Sequence, residues 1–142
     1  MRAIGHFIGG KEVKGTSGRT ADVYQPMTGD VQAKVALASK DEVRAAVENA
    51  KAAQPAWAAT NPQRRVRVLM KFLELVARDN EEMAELLARE HGKTIPDARG
   101  DIMRGVEVVE FALGIPHLMK GEYTEGAGPG IDLYSMRQPL GI

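Results

Sequence analysis

Apolar and polar residues alternate with a period of two over residues 31–38, which is the clearest strand signal in the first third of the chain. The apolar positions of this alternation are Val31, Ala33, Val35 and Leu37. Before them, short apolar pieces are separated by glycine and proline, a pattern typical of short strands joined by turns. Gly9 and Gly10 separate two such pieces and predict the turn of an N-terminal β-hairpin.

From residue 39 the apolar positions follow the period of amphipathic helices. Ser39 and Glu42 have the spacing of a capping box, which predicts the start of a first helix that ends near Pro55. Asn61 followed by Pro62 predicts the cap and first position of a second helix, because proline is favoured where no backbone N–H is needed.

Two further helices are predicted in the second half of the chain. Asn80 restarts a helix that Gly92 stops, and a fourth helix opens after Ile95-Pro96 and runs to about Leu113. Residues 117–130 are polar and rich in glycine, so they predict a loop.

The last residues predict an extended segment. Ile131 and Leu133 alternate with polar neighbours, which indicates a strand. The chain stops at Ile142 on an apolar stretch without a polar tail, so we expect that it is a fragment of a longer protein.

Composition narrows the function classes. With 142 residues, 44% of them hydrophobic, the chain is expected to form one soluble domain that buries roughly two-thirds of its unfolded surface, with Trp57 as a core residue. The 19 basic and 19 acidic residues cancel, which argues against a nucleic-acid or membrane partner. No signal peptide is evident, so a cytoplasmic location is predicted. The absence of cysteine excludes a thiol nucleophile within these residues.

Local motifs for phosphate or metal binding are incomplete. Gly5, Gly10 and Lys11 match the start of a phosphate-binding loop, but Glu12 follows where a hydroxyl residue is required, so a hairpin turn is favoured. The three histidines are isolated from other ligand-type side chains, which predicts no metal site: His6, His91 and His117.

The fourth helix carries the most informative pair of residues. Gly105 destabilises a helix by about 1 kcal/mol relative to alanine, so the close approach of another backbone or a ligand is expected there. Its neighbour Arg104 fits two interpretations, an exposed surface arginine or a group that binds a carboxylate through its guanidinium.

Several strings, occurring in order along the chain, resemble landmarks of the aldehyde dehydrogenase superfamily. They are His6-Phe7-Ile8-Gly9-Gly10-Lys11, Gln25-Pro26-Met27-Thr28-Gly29, Ala53-Gln54-Pro55-Ala56-Trp57 and Glu90-His91-Gly92-Lys93-Thr94. The second half is more specific and resembles the CoA-acylating methylmalonate-semialdehyde dehydrogenases of that superfamily. Its matching strings begin with Arg104-Gly105-Val106-Glu107, Gly114-Ile115-Pro116-His117, Gly130-Ile131-Asp132 and Tyr134-Ser135-Met136-Arg137.

The resemblance implies an α/β fold, the N-terminal portion of the aldehyde dehydrogenase fold, with an N-terminal β-hairpin, about four helices and the start of the oligomerisation strands. Residues 1–130 would be an incomplete NAD-binding domain without the Rossmann core, and residues 131–142 the start of the oligomerisation arm. Enzymes of the family are much longer and place their catalytic cysteine further along the chain. We therefore expect no catalytic, cofactor-binding or metal-binding residue here, and no activity of the fragment itself.

The resemblance also implies the reaction of the intact enzyme. Methylmalonate or malonate semialdehyde is oxidised with NAD and decarboxylated, and CoA takes the acyl group as propionyl-CoA or acetyl-CoA in valine or inositol catabolism. Arg104 then becomes the expected ligand of the substrate carboxylate. The implied partners are the rest of the chain, other subunits of a homo-oligomer and the semialdehyde, and the fragment is expected to bind no cofactor.

Two alternatives remain at this point. The chain could be a stand-alone, non-catalytic binding or assembly module, since no complete catalytic set is present. It could also be the N-terminus of an aldehyde dehydrogenase that does not use CoA.

Overall fold

The computed structural model describes all 142 residues and contains seven strands and five helices, which confirms the α/β class. The strands are β1 (Arg2–Ile4), β2 (His6–Ile8), β3 (Lys11–Val13), β4 (Thr20–Tyr24), β5 (Val31–Ala36), β6 (Tyr123–Gly128) and β7 (Ile131–Tyr134). The helices are α1 (Lys40–Ala59), α2 (Pro62–Arg78), α3 (Asn80–His91), α4 (Ile95–Ala112) and α5 (Ile115–Leu118). None of these helices has both the length and the hydropathy needed to cross a membrane.

Strand β5 is the centre of a three-stranded sheet, where it pairs with β1 in parallel and with β4 antiparallel. Its position between two neighbours explains its aliphatic character, and Ala33 in its middle is only 3% exposed. The strand predicted for residues 31–38 is confirmed over Val31–Ala36.

Strands β2 and β3 form the predicted hairpin, in antiparallel register with His6 opposite Val13. Both turn residues have positive φ, +62° at Gly9 and +76° at Gly10, as a tight hairpin turn with two glycines requires. Lys11 is the first residue of β3, so the glycines before it make a turn and open no helix that could cradle a phosphate.

Helix α1 begins with the predicted capping box of Ser39 and Glu42, but the prediction that it ends near Pro55 is wrong. The helix continues to Ala59, and Pro55 lies inside it. A proline removes a single backbone hydrogen bond, whereas the alanines on both sides of it are the strongest helix formers, so the helix persists. Thr60 closes the helix, with its hydroxyl donating to the Ala56 carbonyl at 2.8 Å.

The boundaries of α2, α3 and α4 follow their capping residues. The Asn61 side chain accepts from the Gln63 N–H at 2.8 Å and caps α2 as predicted. Asp79 precedes α3, so Asn80 is its first helical residue. Gly92 ends α3 with φ +70°, as predicted. Helix α4 begins at Ile95, before Pro96.

The loop predicted for residues 117–130 is wrong at His117 and Leu118, which end α5, and over Tyr123–Gly128, which form β6 and pair with β7. Asp132 holds the glycine-rich part of β6, since its carboxylate accepts from the Gly126 N–H at 2.8 Å and from the Tyr123 hydroxyl at 3.0 Å. These bonds within the hairpin override the low strand propensity of glycine. The strand predicted from Ile131 is confirmed as far as Tyr134 and does not continue to Ile142.

The interior of the chain is small. Only 5 of the 142 residues are buried, and none is larger than valine: Ala33, Val66, Val76, Ala84 and Ala98. The accessible surface is 11035 Å², against about 7,200 Å² for a compact monomer of this mass. Folding of this chain alone buries about half of its unfolded surface, so the prediction of a well-cored domain is wrong. Trp57, predicted to be a core residue, is 47% exposed.

Candidate functional site

The residue with the clearest predicted role, Arg104, belongs to a row of charged residues at the start of α4. The left-handed conformation of Gly92 ends α3, and Thr94 caps α4 by accepting from the Asp97 N–H at 3.4 Å. Lys93 is therefore fixed between two helix ends. Asp97, Asp101 and Arg104 follow at spacings of four and three residues, which places them along one face of α4.

Asp101 joins the two basic side chains of this row. One of its carboxylate oxygens accepts from Lys93 Nζ, and the other accepts from Arg104 Nη2. Lys93 Nζ also lies 3.1 Å from a carboxylate oxygen of Asp97. The result is a continuous series of ion pairs from the connection between α3 and α4 to the third turn of α4.

The ion pairs explain the titration behaviour of the row. Hydrogen bonds from Lys93 and then from Arg104 lower the pKa of Asp101 to about 2. The bond to Asp101, followed by that to Asp97, raises the pKa of Lys93. Asp101 is therefore ionised at neutral pH, and both bases are protonated.

Exposure increases along the chain of ion pairs. The side chains of Lys93 and Asp101 are 20% and 31% exposed, whereas that of Arg104 is 70% exposed. Arg104 makes a hydrogen bond to the protein only through Nη2, so its other N–H donors remain available to a ligand. An exposed guanidinium fixed on one side is suited to bind a carboxylate on the other.

Gly105, next to Arg104, lines an apolar cavity of about 260 Å³ between α2 and α4, together with Phe72, Leu73 and Val109. A Cβ atom added to Gly105 would meet nothing within 4 Å. The close approach predicted for this glycine is thus not made by any part of the chain.

The other candidates from the sequence do not converge on a site. No group of three or more histidine, aspartate and glutamate side chains is arranged to hold a metal ion. The glycines of residues 126–130 lie in and beside the β6–β7 hairpin and open no helix, so they do not form a dinucleotide-binding turn. The largest cavity, about 710 Å³, is an apolar groove between the β2–β3 hairpin and α1, lined by residues such as Phe7, Val43 and Val47.

Sequence reasoning missed Asp101 and Lys93. The spacing of three residues between Asp101 and Arg104 was a usable signal, because side chains at that spacing meet on a helix. Lys93 gave a weaker signal, since it precedes the first residue of α4 and lies eight positions before Asp101.

Residues 13–142 match the profile of the aldehyde dehydrogenase family. The chain belongs to this family, as its sequence landmarks predict.

Two of the similar proteins are semialdehyde dehydrogenases. The chain is 42% identical over 142 residues to the malonate-semialdehyde dehydrogenase of Pseudomonas aeruginosa, covering all of this chain and 28% of that protein. It is 42% identical over 136 residues to the acylating mitochondrial methylmalonate-semialdehyde/malonate-semialdehyde dehydrogenase of Homo sapiens, covering 96% of this chain and 25% of that protein. The chain therefore spans about a quarter of the length of these relatives.

Solved structures agree with this assignment. A structure complexed with NAD, of a protein described as a methylmalonate-semialdehyde dehydrogenase from Sinorhizobium meliloti, has 65% identity and a TM-score of 0.94, over 99% of this chain and 29% of that chain. The methylmalonate-semialdehyde dehydrogenase of Oceanimonas doudoroffii has 41% identity and a TM-score of 0.93, over 99% of this chain and 28% of that chain. The prediction that this fold is the N-terminal part of an aldehyde dehydrogenase is confirmed.

Proposed function

We propose that this chain is the N-terminal portion of an NAD-dependent, CoA-acylating methylmalonate- or malonate-semialdehyde dehydrogenase. The observation that carries the proposal is the 65% identity, over 99% of the chain, to the Sinorhizobium meliloti protein complexed with NAD. The proposed reaction is oxidative decarboxylation of the semialdehyde to propionyl-CoA or acetyl-CoA, in valine or inositol catabolism. The proposed location is the cytoplasm, whereas the names of the human and Arabidopsis thaliana relatives include the word mitochondrial.

In this proposal residues 1–130 belong to the NAD-binding domain and residues 131–142 begin the oligomerisation arm. Strands β6 and β7 support an arm that pairs with another subunit, because almost every residue of the two strands is exposed. A two-stranded hairpin is only marginally stable without further strands, so it gains stability from pairing across a homo-oligomer. Since β6 pairs with β7, we propose that the arm begins earlier than Ile131, at Tyr123, and that the NAD-binding portion ends before it.

NAD and CoA are cofactors of the proposed intact enzyme, and the 142 residues do not fit either of them. They contain no glycine-rich turn that opens a helix, and no cysteine that could form a thioester. The chain alone is therefore proposed to be inactive and to bind no cofactor.

The contribution of these residues to the reaction is recognition of the substrate. We propose that Arg104 binds the carboxylate that distinguishes a semialdehyde acid from a simple aldehyde. Its guanidinium is exposed, protonated and hydrogen-bonded on one side only, so a bidentate pair with the substrate can form on the other.

The test is the Arg104→Leu variant of the full-length enzyme, assayed with malonate semialdehyde and with propanal. Loss of a charged hydrogen-bond pair predicts that kcat/KM for the acid falls by about 10- to 100-fold, with little change for propanal. Equal losses on both substrates would remove the recognition role. Dependence of the wild-type rate on CoA separates the proposed enzyme from an aldehyde dehydrogenase that does not use CoA.

A further inference from the structure

We infer that Asp101 is a positioning residue that fixes the guanidinium of Arg104 for the substrate carboxylate, and that Lys93 anchors Asp101. The inference rests on the proposed function, since it assigns a role to the residues that support Arg104. The inference extends substrate recognition from one residue to three ion-paired residues, Lys93, Asp101 and Arg104, of which only Arg104 would contact the substrate.

The geometry gives Asp101 two simultaneous partners. Each of its two carboxylate oxygens accepts from a different base, one from Lys93 and one from Arg104. A carboxylate held at both oxygens cannot rotate freely, so it fixes the position of Nη2 of Arg104. An arginine without such a support has many rotamers, and ordering it at the moment of binding opposes affinity.

Lys93 also solves an electrostatic problem. An unpaired carboxylate at Asp101 would repel the carboxylate of a semialdehyde acid that binds to Arg104. The ammonium of Lys93, bonded to Asp101, neutralises that carboxylate, so Arg104 is the positive group at the exposed end, where Asp97 and Glu107 act on it only as charges without an ion pair to it. Asp97 partly offsets this effect, but its side chain is 58% exposed, and water screens it more strongly.

The anchor is itself fixed by the backbone. Lys93 lies between Gly92, whose φ of +70° ends α3, and Thr94, which caps α4. With 20% exposure it is the most sheltered charged group of the row, and Arg104, with 70%, is the most exposed. This order is expected if the more buried Lys93 supports the row and a ligand binds from solvent to the exposed Arg104.

The test compares variants of the full-length enzyme by the ratio of kcat/KM for malonate semialdehyde to kcat/KM for propanal. We expect Asp101→Asn to lower this ratio about tenfold, because the isosteric amide presents N–H groups to one of the two bases and releases Arg104. Lys93→Met should lower the ratio as well, because Asp101 then keeps an uncompensated negative charge beside Arg104. If Asp101→Asn fails to fold, Lys93→Met supplies the same measurement.

The matched control is Glu81→Gln. This substitution removes the ion pair between Glu81 on α3 and Arg99 on α4, in which Arg99 Nε lies 3.0 Å from Glu81 Oε1. Arg99 is on the same helix as Asp101 but makes no ion pair with it. We expect this variant to leave the ratio unchanged. A merely structural role of Asp101 would lower both values of kcat/KM together and would overturn the inference.

Failure of the inference and failure of the proposed function give different results. If Arg104→Leu lowers the ratio and neither Asp101→Asn nor Lys93→Met does, the positioning role is wrong and recognition by Arg104 stands. If Arg104→Leu leaves the ratio unchanged, both are wrong.

Discussion

The backbone of Gly121 passes so close to Ser135 that a Cβ atom on the glycine would overlap the Ser135 carbonyl oxygen. Two hydrogen bonds hold the segments together beside this contact. The Glu122 N–H donates to the Ser135 hydroxyl at 2.9 Å, and the Ser135 N–H donates to the Glu122 carbonyl at 2.8 Å. Gly121 and Ser135 thus close the end of the β6–β7 hairpin that lies opposite its turn.

Gly121→Ala is expected to open this end of the hairpin and, in the proposed full-length enzyme, to weaken assembly between subunits. Light scattering over a dilution series measures the mass of the oligomer. We expect the variant to dissociate at a higher protein concentration than the wild type. Gly130→Asn is the control, because asparagine tolerates the φ of +70° at the turn and a Cβ atom at this position meets nothing within 4 Å. Unchanged assembly of Gly121→Ala would contradict this role.

Ser39→Ala is expected to destabilise the full-length enzyme by about 1 kcal/mol, because α1 loses a side-chain cap. The Ser39 hydroxyl accepts from the Glu42 N–H at 3.2 Å, which satisfies one of the free donors at the start of the helix. The effect is measured as a decrease in the urea concentration at the midpoint of the first unfolding transition. Lys40→Ala, at the exposed first position of the helix, should not shift it.

Glu42 predicts a pH dependence of stability. Its carboxylate accepts from the N–H groups of Ser39 at 2.7 Å and Thr16 at 2.6 Å, which lowers its pKa from the ordinary 4.5 to about 2. A carboxylate with a lowered pKa stabilises the fold above pH 4.5, and this stabilisation is lost as the pH falls from 4.5 towards 2.

Glu42→Gln should therefore be less stable than the wild type at pH 7 and should lose less stability between pH 4.5 and pH 2. Thermal unfolding across this range measures the difference. Glu48→Gln, which removes an exposed ion pair on the same helix, serves as the control. If Glu42→Gln and the wild type differ by the same amount at both ends of the range, the assigned pKa is wrong.

Gly92→Ala is expected to destabilise the enzyme by about 1–2 kcal/mol, because φ is +70° at this position. The added Cβ would also lie 3.0 Å from Pro26 Cγ, in the turn between β4 and β5. Gly100→Ala is the matched change within a helix, where alanine is favoured and nothing lies within 4 Å. In thermal unfolding, Gly92→Ala should lower the melting temperature and Gly100→Ala should raise it. Equal changes in the two variants would refute the prediction.

The 142-residue chain by itself should bind a hydrophobic dye and self-associate. Large apolar side chains on α4 and β7 are exposed, among them Phe111 at 75%, Val108 at 69% and Leu133 at 57%. The surface exceeds that of a compact monomer by roughly 3,800 Å², several times what one side of a standard interface buries. A monodisperse chain that unfolds cooperatively would favour the stand-alone binding module instead.

Local signals in the sequence predicted the features that depend on neighbouring residues. The hairpin at Gly9 and Gly10 and the caps at Ser39 and Asn61 each rest on contacts within a few positions, and all are confirmed. The continuation of α1 through Pro55 was not predicted, because a single breaker competes there with a run of strong helix formers.

Features that depend on side-chain bonds or on covering segments, and not on backbone periodicity or capping, were predicted poorly. Strand β6 exists through bonds from Tyr123 and Gly126 to Asp132, which no periodicity reveals. The role of Arg104 came from family resemblance, and its contact with Asp101, which their spacing of three residues indicates, was recognised only in the structure. The expectation of a large core failed because composition reports how many apolar residues a chain has and not which other segments cover them.

The scarcity of buried residues has a consequence for biosynthesis. In the proposed enzyme this portion leaves the ribosome before the remaining 70% or so of the protein has been translated. At ordinary elongation rates that interval lasts roughly 20 to 70 s. During this interval Val108 and Phe111 on α4 are exposed to solvent, which makes the nascent chain a substrate for ribosome-associated chaperones.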